Sequence, residues 1–184
     1  MLEKQSVEKV IQIFHHSTEL PILSIDCQQL ISFKMMKDIE SSTVMNYLEW
    51  QEALDFLKTI SANSGCIRQN YTYYTTNGFI YSIIPLEMKQ NDFEALISGP
   101  FLSTHPHENQ IEAMARQYHF NENQKLRFRS ILNNLPLASR ERMDYLGRLL
   151  LALLKAEEQS SSIQTVPEDH LPNKIKIIKT LCET

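Results

Sequence analysis

The sequence predicts an α+β fold: a five-stranded antiparallel sheet flanked by helices, with a long helix near the C-terminus. Three observations carry that prediction. Asn77-Gly78 is a hairpin signal between two runs rich in Tyr, Ile and Thr, Ile67–Thr75 and Phe79–Met88. A third apolar run, Phe93–Ser98, follows the polar break Lys89-Gln90-Asn91-Asp92 and leads into Gly99-Pro100. Three segments with helical spacing then follow, the last of them strongly leucine-rich.

Taken in order, Val7, Val10, Ile11 and Phe14 recur at i, i+3, i+4 and i+7, which predicts an amphipathic helix over 3–16. His15 and His16 fall in its last turn, where partial positive charge suits the helix dipole. Pro21–Asp26 and Gln29–Lys34 read as two short strands joined at Asp26-Cys27-Gln28, and Lys37–Thr43 as a polar loop. Tyr47, Trp50, Leu54 and Leu57 share one stripe of a helix over 44–62, with Gly65 as its left-handed terminator. The three strands follow. Pro100 is expected to stop the last one, and Phe101–His105 to be a connector.

Pro106 marks the start of a helix running to His119, with Ile111, Met114, Ala115 and Tyr118 inward. Asn121-x-x-Gln124 matches a capping box for a helix reaching Asn133. After Pro136, Ser139 is the expected N-cap of a helix over 139–158, with Met143, Leu146, Leu149, Leu150, Leu153 and Leu154 on a broad apolar face. Glu157–Pro172 is polar, with Ser160-Ser161-Ser162, Pro167 and Pro172. The domain division that follows is a folded unit over 1–158, a linker over 159–172, and a terminal segment over 173–184, of which Lys174–Cys182 is a candidate helix.

Composition excludes several function classes. The net charge of −4 argues against a large nucleic-acid surface in this chain. No apolar run approaches the roughly 18 residues of a membrane span, and the N-terminus lacks the apolar core of a signal peptide. The three cysteines, Cys27, Cys66 and Cys182, have no close spacing, which fits a reduced cytoplasmic protein. With only four glycines, no phosphate loop or dinucleotide fingerprint can be written.

The order helix, two strands, helix, three strands, helices is that of PAS and GAF-like domains, and sequential hairpins give a sheet order of 2-1-5-4-3. The stretch Phe79–Leu154 carries a closer resemblance. Its residues are Ile80-Tyr81-Ser82-Ile83-Ile84-Pro85-Leu86, then Ala95-Leu96-Ile97-Ser98-Gly99-Pro100-Phe101-Leu102, His105-Pro106-His107-Glu108, Leu135-Pro136 with Ser139-Arg140-Glu141-Arg142, and the leucine-rich helix. This pattern is similar to the PocR-type and related PAS-like sensory domains that precede AraC-type helix-turn-helix regions in bacterial transcription regulators. The resemblance implies a sensory, ligand-binding and dimerising domain that reaches DNA only through a region outside this chain, and no enzyme is expected, since no elbow such as G-x-S-x-G can be written. The cysteine cluster of many PocR-type domains is missing, so no metal or redox cofactor is carried over. The sensor of a histidine kinase or a protein-interaction module without small ligand are the alternatives, and a small enzyme using Cys66 or the histidines is a third.

Candidate sites follow from this frame. A ligand pocket between the sheet and the helix at 44–62 would use Trp50, Tyr71, Tyr73, Tyr81 and Ile83, against the plainer reading of cross-strand packing. His105 and His107, with Glu108, form a weak metal motif, since two imidazoles lack further ligands at a recognisable spacing. Lys125, Arg127, Arg129, Arg140 and Arg142 form a basic cluster that is either a solvated face or a contact for an acidic partner or nucleic acid. Leucines cover most of the circumference at 146–154. They are buried either between the sheet and helix 108–119, or across a homodimer axis formed by Val10, Phe14, Leu146, Leu149, Leu150 and Leu153. The signal itself, small molecule or protein, is not named by the sequence.

Overall fold

A computed structural model describes residues 4–25, 31–35, 48–64, 68–87 and 93–163. The elements are α1 (Lys4–Thr18), β1 (Ile22–Ile25), β2 (Ile31–Met35), α2 (Trp50–Ser64), β3 (Tyr71–Tyr74), β4 (Phe79–Glu87), β5 (Phe93–Leu102), α3 (Glu108–Gln117), α4 (Glu122–Asn134) and α5 (Arg140–Ile163). The expectations for Asp26-Cys27-Gln28, Lys37–Thr43, Tyr47, Gly65, Cys66 and Lys174–Cys182 lie outside the described residues.

The strands form one antiparallel sheet in the order β2-β1-β5-β4-β3. Strand side chains alternate between faces, so each strand supplies two cores. On one face Leu23, Ile25, Phe79, Tyr81, Ile83, Ala95 and Ile97 meet Trp50, Ala53, Leu54 and Leu57 of α2, with Ile111 and Met114 of α3 and Phe128 and Leu132 of α4. On the other, Ile22, Ile80, Ile84, Leu86 and Leu96 meet Val7, Val10, Ile11 and Phe14 of α1 and Met143, Leu146, Leu150 and Leu154 of α5. Helices therefore cover the sheet on both sides.

β5 does not stop at Gly99-Pro100. It continues to Leu102, pairing Phe101 with Ile80 and Leu102 with Phe79. Between the pairs Ser82–Ser98 and Ile80–Phe101, β4 contributes Tyr81 while β5 contributes both Gly99 and Pro100. This is a β-bulge, the setting in which a strand tolerates a proline. β1 starts its pairing with β5 at Ile22–Ser98, so Pro100 lies beyond the β1 ladder and its missing N–H breaks no bond there. Gly99 has φ +131°, a Cβ on it would reach 2.8 Å from the Ile80 carbonyl oxygen, and the Gly99–Pro100 peptide is cis. The extra residue also resets the alternation: Phe101 joins the α1/α5 core and Leu102 the α2 core.

In the helical hairpin α3–α4, the α4 cap falls where the sequence places it. Asn121 Oδ1 accepts from the Gln124 N–H, and Gln124 Oε1 from the Asn121 N–H, both at 2.9 Å. At α3 the N-cap is His107, whose N–H donates to Gln110 Oε1 at 2.8 Å, so Pro106 precedes the helix rather than opening it. Leu102 N–H donates to the Pro136 carbonyl and Ala138 N–H to the Leu102 carbonyl, which ties the approach to α5 onto the end of β5. Ser139 Oγ accepts from the Arg142 N–H at 3.2 Å and caps α5.

Two boundaries differ from the sequence reading. α2 begins at Trp50, with Leu48 and Glu49 in a turn, rather than at 44. α5 runs to Ile163, through the serines expected to begin the linker. Ser160 Oγ donates to the Ala156 carbonyl, which satisfies the hydroxyl within the helix, and extending an existing helix costs far less than nucleating one.

Candidate functional site

The β3–β4 hairpin and the start of α2 bring the five expected pocket residues together. Tyr71 pairs with Ile83 and Tyr73 with Tyr81, and directly opposed residues share a face. Tyr74 points away and is 50% exposed. Trp50, at the start of α2, meets Tyr81 edge-on with centroids 5.8 Å apart. Phe56, one α2 turn beyond Ala53, stacks on Tyr73 at 4.6 Å and meets Tyr71 edge-on at 6.3 Å. Tyr118, Phe120 and Phe128 continue the aromatic surface from α3 and α4. Trp50, Tyr81 and Ile83 are buried, whereas Tyr71, Tyr73 and Phe56 are half-buried.

A polar rim borders these rings. The α2 start supplies two carboxylates, Glu49 and Glu52, and the hairpin tip supplies donors. Glu49 is only 7% exposed and has φ +57°. Its Oε2 accepts from the Asn77 N–H at 2.8 Å and its Oε1 from Asn77 Nδ2 at 2.5 Å. Asn77 Nδ2 also reaches the Tyr118 hydroxyl at 3.4 Å. Glu52 Oε2 accepts from the Thr76 N–H at 3.0 Å, the Thr76 hydroxyl at 3.2 Å and the Tyr73 hydroxyl at 3.4 Å. Acidic side chains are favoured at a helix N-terminus, which suits both residues to the start of α2. Gly78, with φ +86°, makes the turn that aims these donors at α2.

The phenols respond to this setting. Burial, then the Glu49 and Glu52 charges, push the Tyr81 hydroxyl far above the ordinary tyrosine range, and it donates to the Leu48 carbonyl at 2.7 Å. Burial followed by the Glu52 charge also raises Tyr73, and burial followed by Glu49 raises Tyr118. All three are held as neutral hydrogen-bonding groups. The arrangement can bind through ring faces, hydroxyls and carboxylates.

The sequence reading missed Glu49, Glu52, Phe56, Thr76, Asn77 and Tyr118 as members of this group. Asn77 was visible only as a turn residue, and a positive φ at Glu49 leaves no sequence signature. Phe56 was findable, since it lies one i+3 step from Ala53 on the neighbouring edge of the α2 stripe.

The expected dimer residues divide. Val10, Phe14, Leu146 and Leu150 are buried within the chain, where α1 and α5 pack together on the sheet. That packing, and not burial against the helix at 108–119, takes up the inner leucine face. Leu149 and Leu153 are half-buried at its border. Tyr145, one turn before Leu149, is 67% exposed.

The remaining motifs are structural. Glu108 pairs with Arg129 and Glu112 with Lys125, an ion-pair ladder between α3 and α4 that uses two of the five basic-cluster residues. Arg142 Nη1 donates to the Leu137 carbonyl at 3.0 Å. His105 is exposed, and His107 serves as the α3 N-cap. Among the described residues no three His, Cys, Asp or Glu side chains gather as a metal site. Among the same residues no helix is long and apolar enough to cross a membrane.

A family model described as the sensory domain found in PocR matches residues 1–160. The chain belongs to that family. The match covers α1 through all but the last turn of α5, so both layers of helices, and not only the sheet, are parts of the PocR-type sensory domain. No curated protein matches the sequence. A solved structure of an RsLOV variant is similar at 13% identity and a TM-score of 0.31, over 86% of this chain and 99% of that one.

Proposed function

We propose that this PocR-type sensory domain has a PAS-like architecture and serves a bacterial, cytoplasmic transcription regulator of the AraC type. It binds its signal on the aromatic face between the sheet and α2, and α5 passes the change toward a DNA-binding region outside this chain. The observation that carries this reading is the convergence of Trp50, Tyr71, Tyr73 and Tyr81, rimmed by Glu49, Glu52 and Asn77, on one sheet face of a sensory-domain family member. An apolar wall with a few oriented polar groups is the common form of a small-ligand site. The signal acts by binding one arrangement better than another.

In this reading the domain works as a homodimer, with the border of α5 at Tyr145, Leu149 and Leu153 against a second copy. Truncating Leu149 and Leu153 to Ala is expected to lower the sedimenting mass to that of a monomer. An unchanged mass removes this interface.

Native mass spectrometry of the purified chain, followed by the same spectrum after denaturation, tests the binding reading. A small adduct that denaturation removes, and that Tyr73→Ala abolishes, is the expected result. A bare chain that stays bare in a screen of small aromatic, polyol and amine ligands overturns it.

A further inference from the structure

β3 is an edge strand that serves both layers. Tyr71 and Tyr73 face the aromatic core, so the alternate residues before and between them face α5. Asn70 lies directly ahead of the strand. Its Oδ1 accepts from the buried Ser82 hydroxyl at 2.5 Å, and its amide packs onto the backbone of Gly147 in α5, closely enough that a Cβ at 147 would overlap it. Two residues earlier, Arg68 makes a bidentate pair with Glu158 at 2.6 and 3.1 Å.

Gly147 and Glu158 lie on the same face of α5, since eleven residues make almost a whole number of turns, and they are about 16 Å apart along the helix. The short segment 68–70 thus grips the long helix at two points. Glycine is a poor helix former, and here it admits the close approach of Asn70. Both attachments are polar and half-buried, whereas α1 holds α5 through an aliphatic seam and the Lys9–Glu157 ion pair at 2.8 Å.

We propose that residues 68–70 form a strap through which the aromatic face sets the position of the C-terminal half of α5. A shift of Tyr71 and Tyr73 against Phe56 moves β3, and Asn70 on Gly147 and Arg68 on Glu158 carry that movement to the helix. The proposal rests on reading the aromatic face as the sensing site, but its test needs no ligand.

The test is hydrogen exchange of the whole chain, followed peptide by peptide. Tyr73→Ala is expected to speed exchange at 155–163 by threefold or more, while 8–14 in α1 is unchanged. In an Arg68→Gln/Asn70→Gly background the same substitution is expected to leave 155–163 unaltered. Unchanged exchange at 155–163 in the first comparison overturns the strap. So does an equal acceleration in both backgrounds, or one shared by α1, which marks global loosening. Gly147→Ala supplies the reverse direction, because coupling is reciprocal. It is expected to speed exchange at 71–74 when Asn70 is present and not when Asn70 is Gly. Exchange at 71–74 that ignores Gly147→Ala overturns the strap even if Tyr73→Ala does not fold. A chain that binds no small molecule but passes these tests loses the binding reading and keeps the strap, and the converse result does the opposite.

Discussion

The two faces of the sheet are built from the same strands and differ in chemistry. The α1/α5 face is aliphatic apart from Phe14 and Phe101, and its members Val7, Ile11, Phe14, Ile84 and Leu154 are completely buried. The α2 face is aromatic, partly open at Tyr71, Tyr73 and Phe56, and bordered by two carboxylates and four hydroxyls. Close-packed aliphatic side chains give a layer with little freedom to rearrange. Rings with polar edges give a layer that can exchange its own contacts for those of a ligand. One face is close-packed throughout, and the other combines a buried core with half-exposed rings and a polar rim.

That contrast is open to direct attack. Phe14→Ala on the aliphatic face is expected to cost about 3–5 kcal/mol in denaturant unfolding, whereas Phe56→Ala on the aromatic face should cost about half as much, because the ring it removes is already half in water. Equal losses erase the distinction. Asn77→Ala should cost about 1–3 kcal/mol, since it strips a donor from the buried Glu49 carboxylate. Thermal unfolding reads that change, and a loss within error would mean that water replaces Asn77 readily.

The Arg68–Glu158 pair is expected to contribute about 0.5–1 kcal/mol. The Arg68 hydrogen bonds, opposed by partial burial, hold the Glu158 carboxyl below the usual glutamate range. Its contribution is therefore complete above the unfolded glutamate pKa and is lost as the pH falls below about 4. The stability gap between wild type and Arg68→Gln should close on acidification, and a gap that stays constant to pH 3 removes the ion pair as its source. Tyr73→Phe, which deletes one long hydrogen bond to Glu52, should change stability by about 0.5 kcal/mol or less. Its effect on ligand uptake would then be separable from folding.

Much of the scaffold was readable because its signals are local. Asn77-Gly78 marks the hairpin, Asn121-x-x-Gln124 writes the α4 cap, and Val7-Val10-Ile11-Phe14 defines the inner face of α1. The aromatic set Trp50, Tyr71, Tyr73, Tyr81 and Ile83 was also readable, since strand alternation and one hairpin register place four of them on one face. Long-range partners were not. Glu49 and Glu52 meet the hairpin tip only after α2 packs on the sheet, and nothing near Gly147 in the sequence points to Asn70. Pro100 misled for a related reason: a local breaker was overruled by a bulge that exists only when β4 and β5 pair. The leucine-rich helix was only half legible, because the partner of its inner face is α1, a segment more than a hundred residues away.

The bulge at Gly99-Pro100 gives β5 something like a reading frame. Before it, odd-numbered residues address the α2 layer; after it, even-numbered ones do, which is why Phe101 and Leu102 sit on opposite sides from those simple alternation assigns. Straightening the strand while keeping both Gly99 and Pro100 would leave every side chain chemically intact and yet deliver the last two to the wrong layers, whereas losing one residue together with the bulge would leave them where they are. Relatives of this chain should therefore keep both residues and the bulge, or lose one residue and the bulge together, because composition here is negotiable and the parity of the last two residues is not.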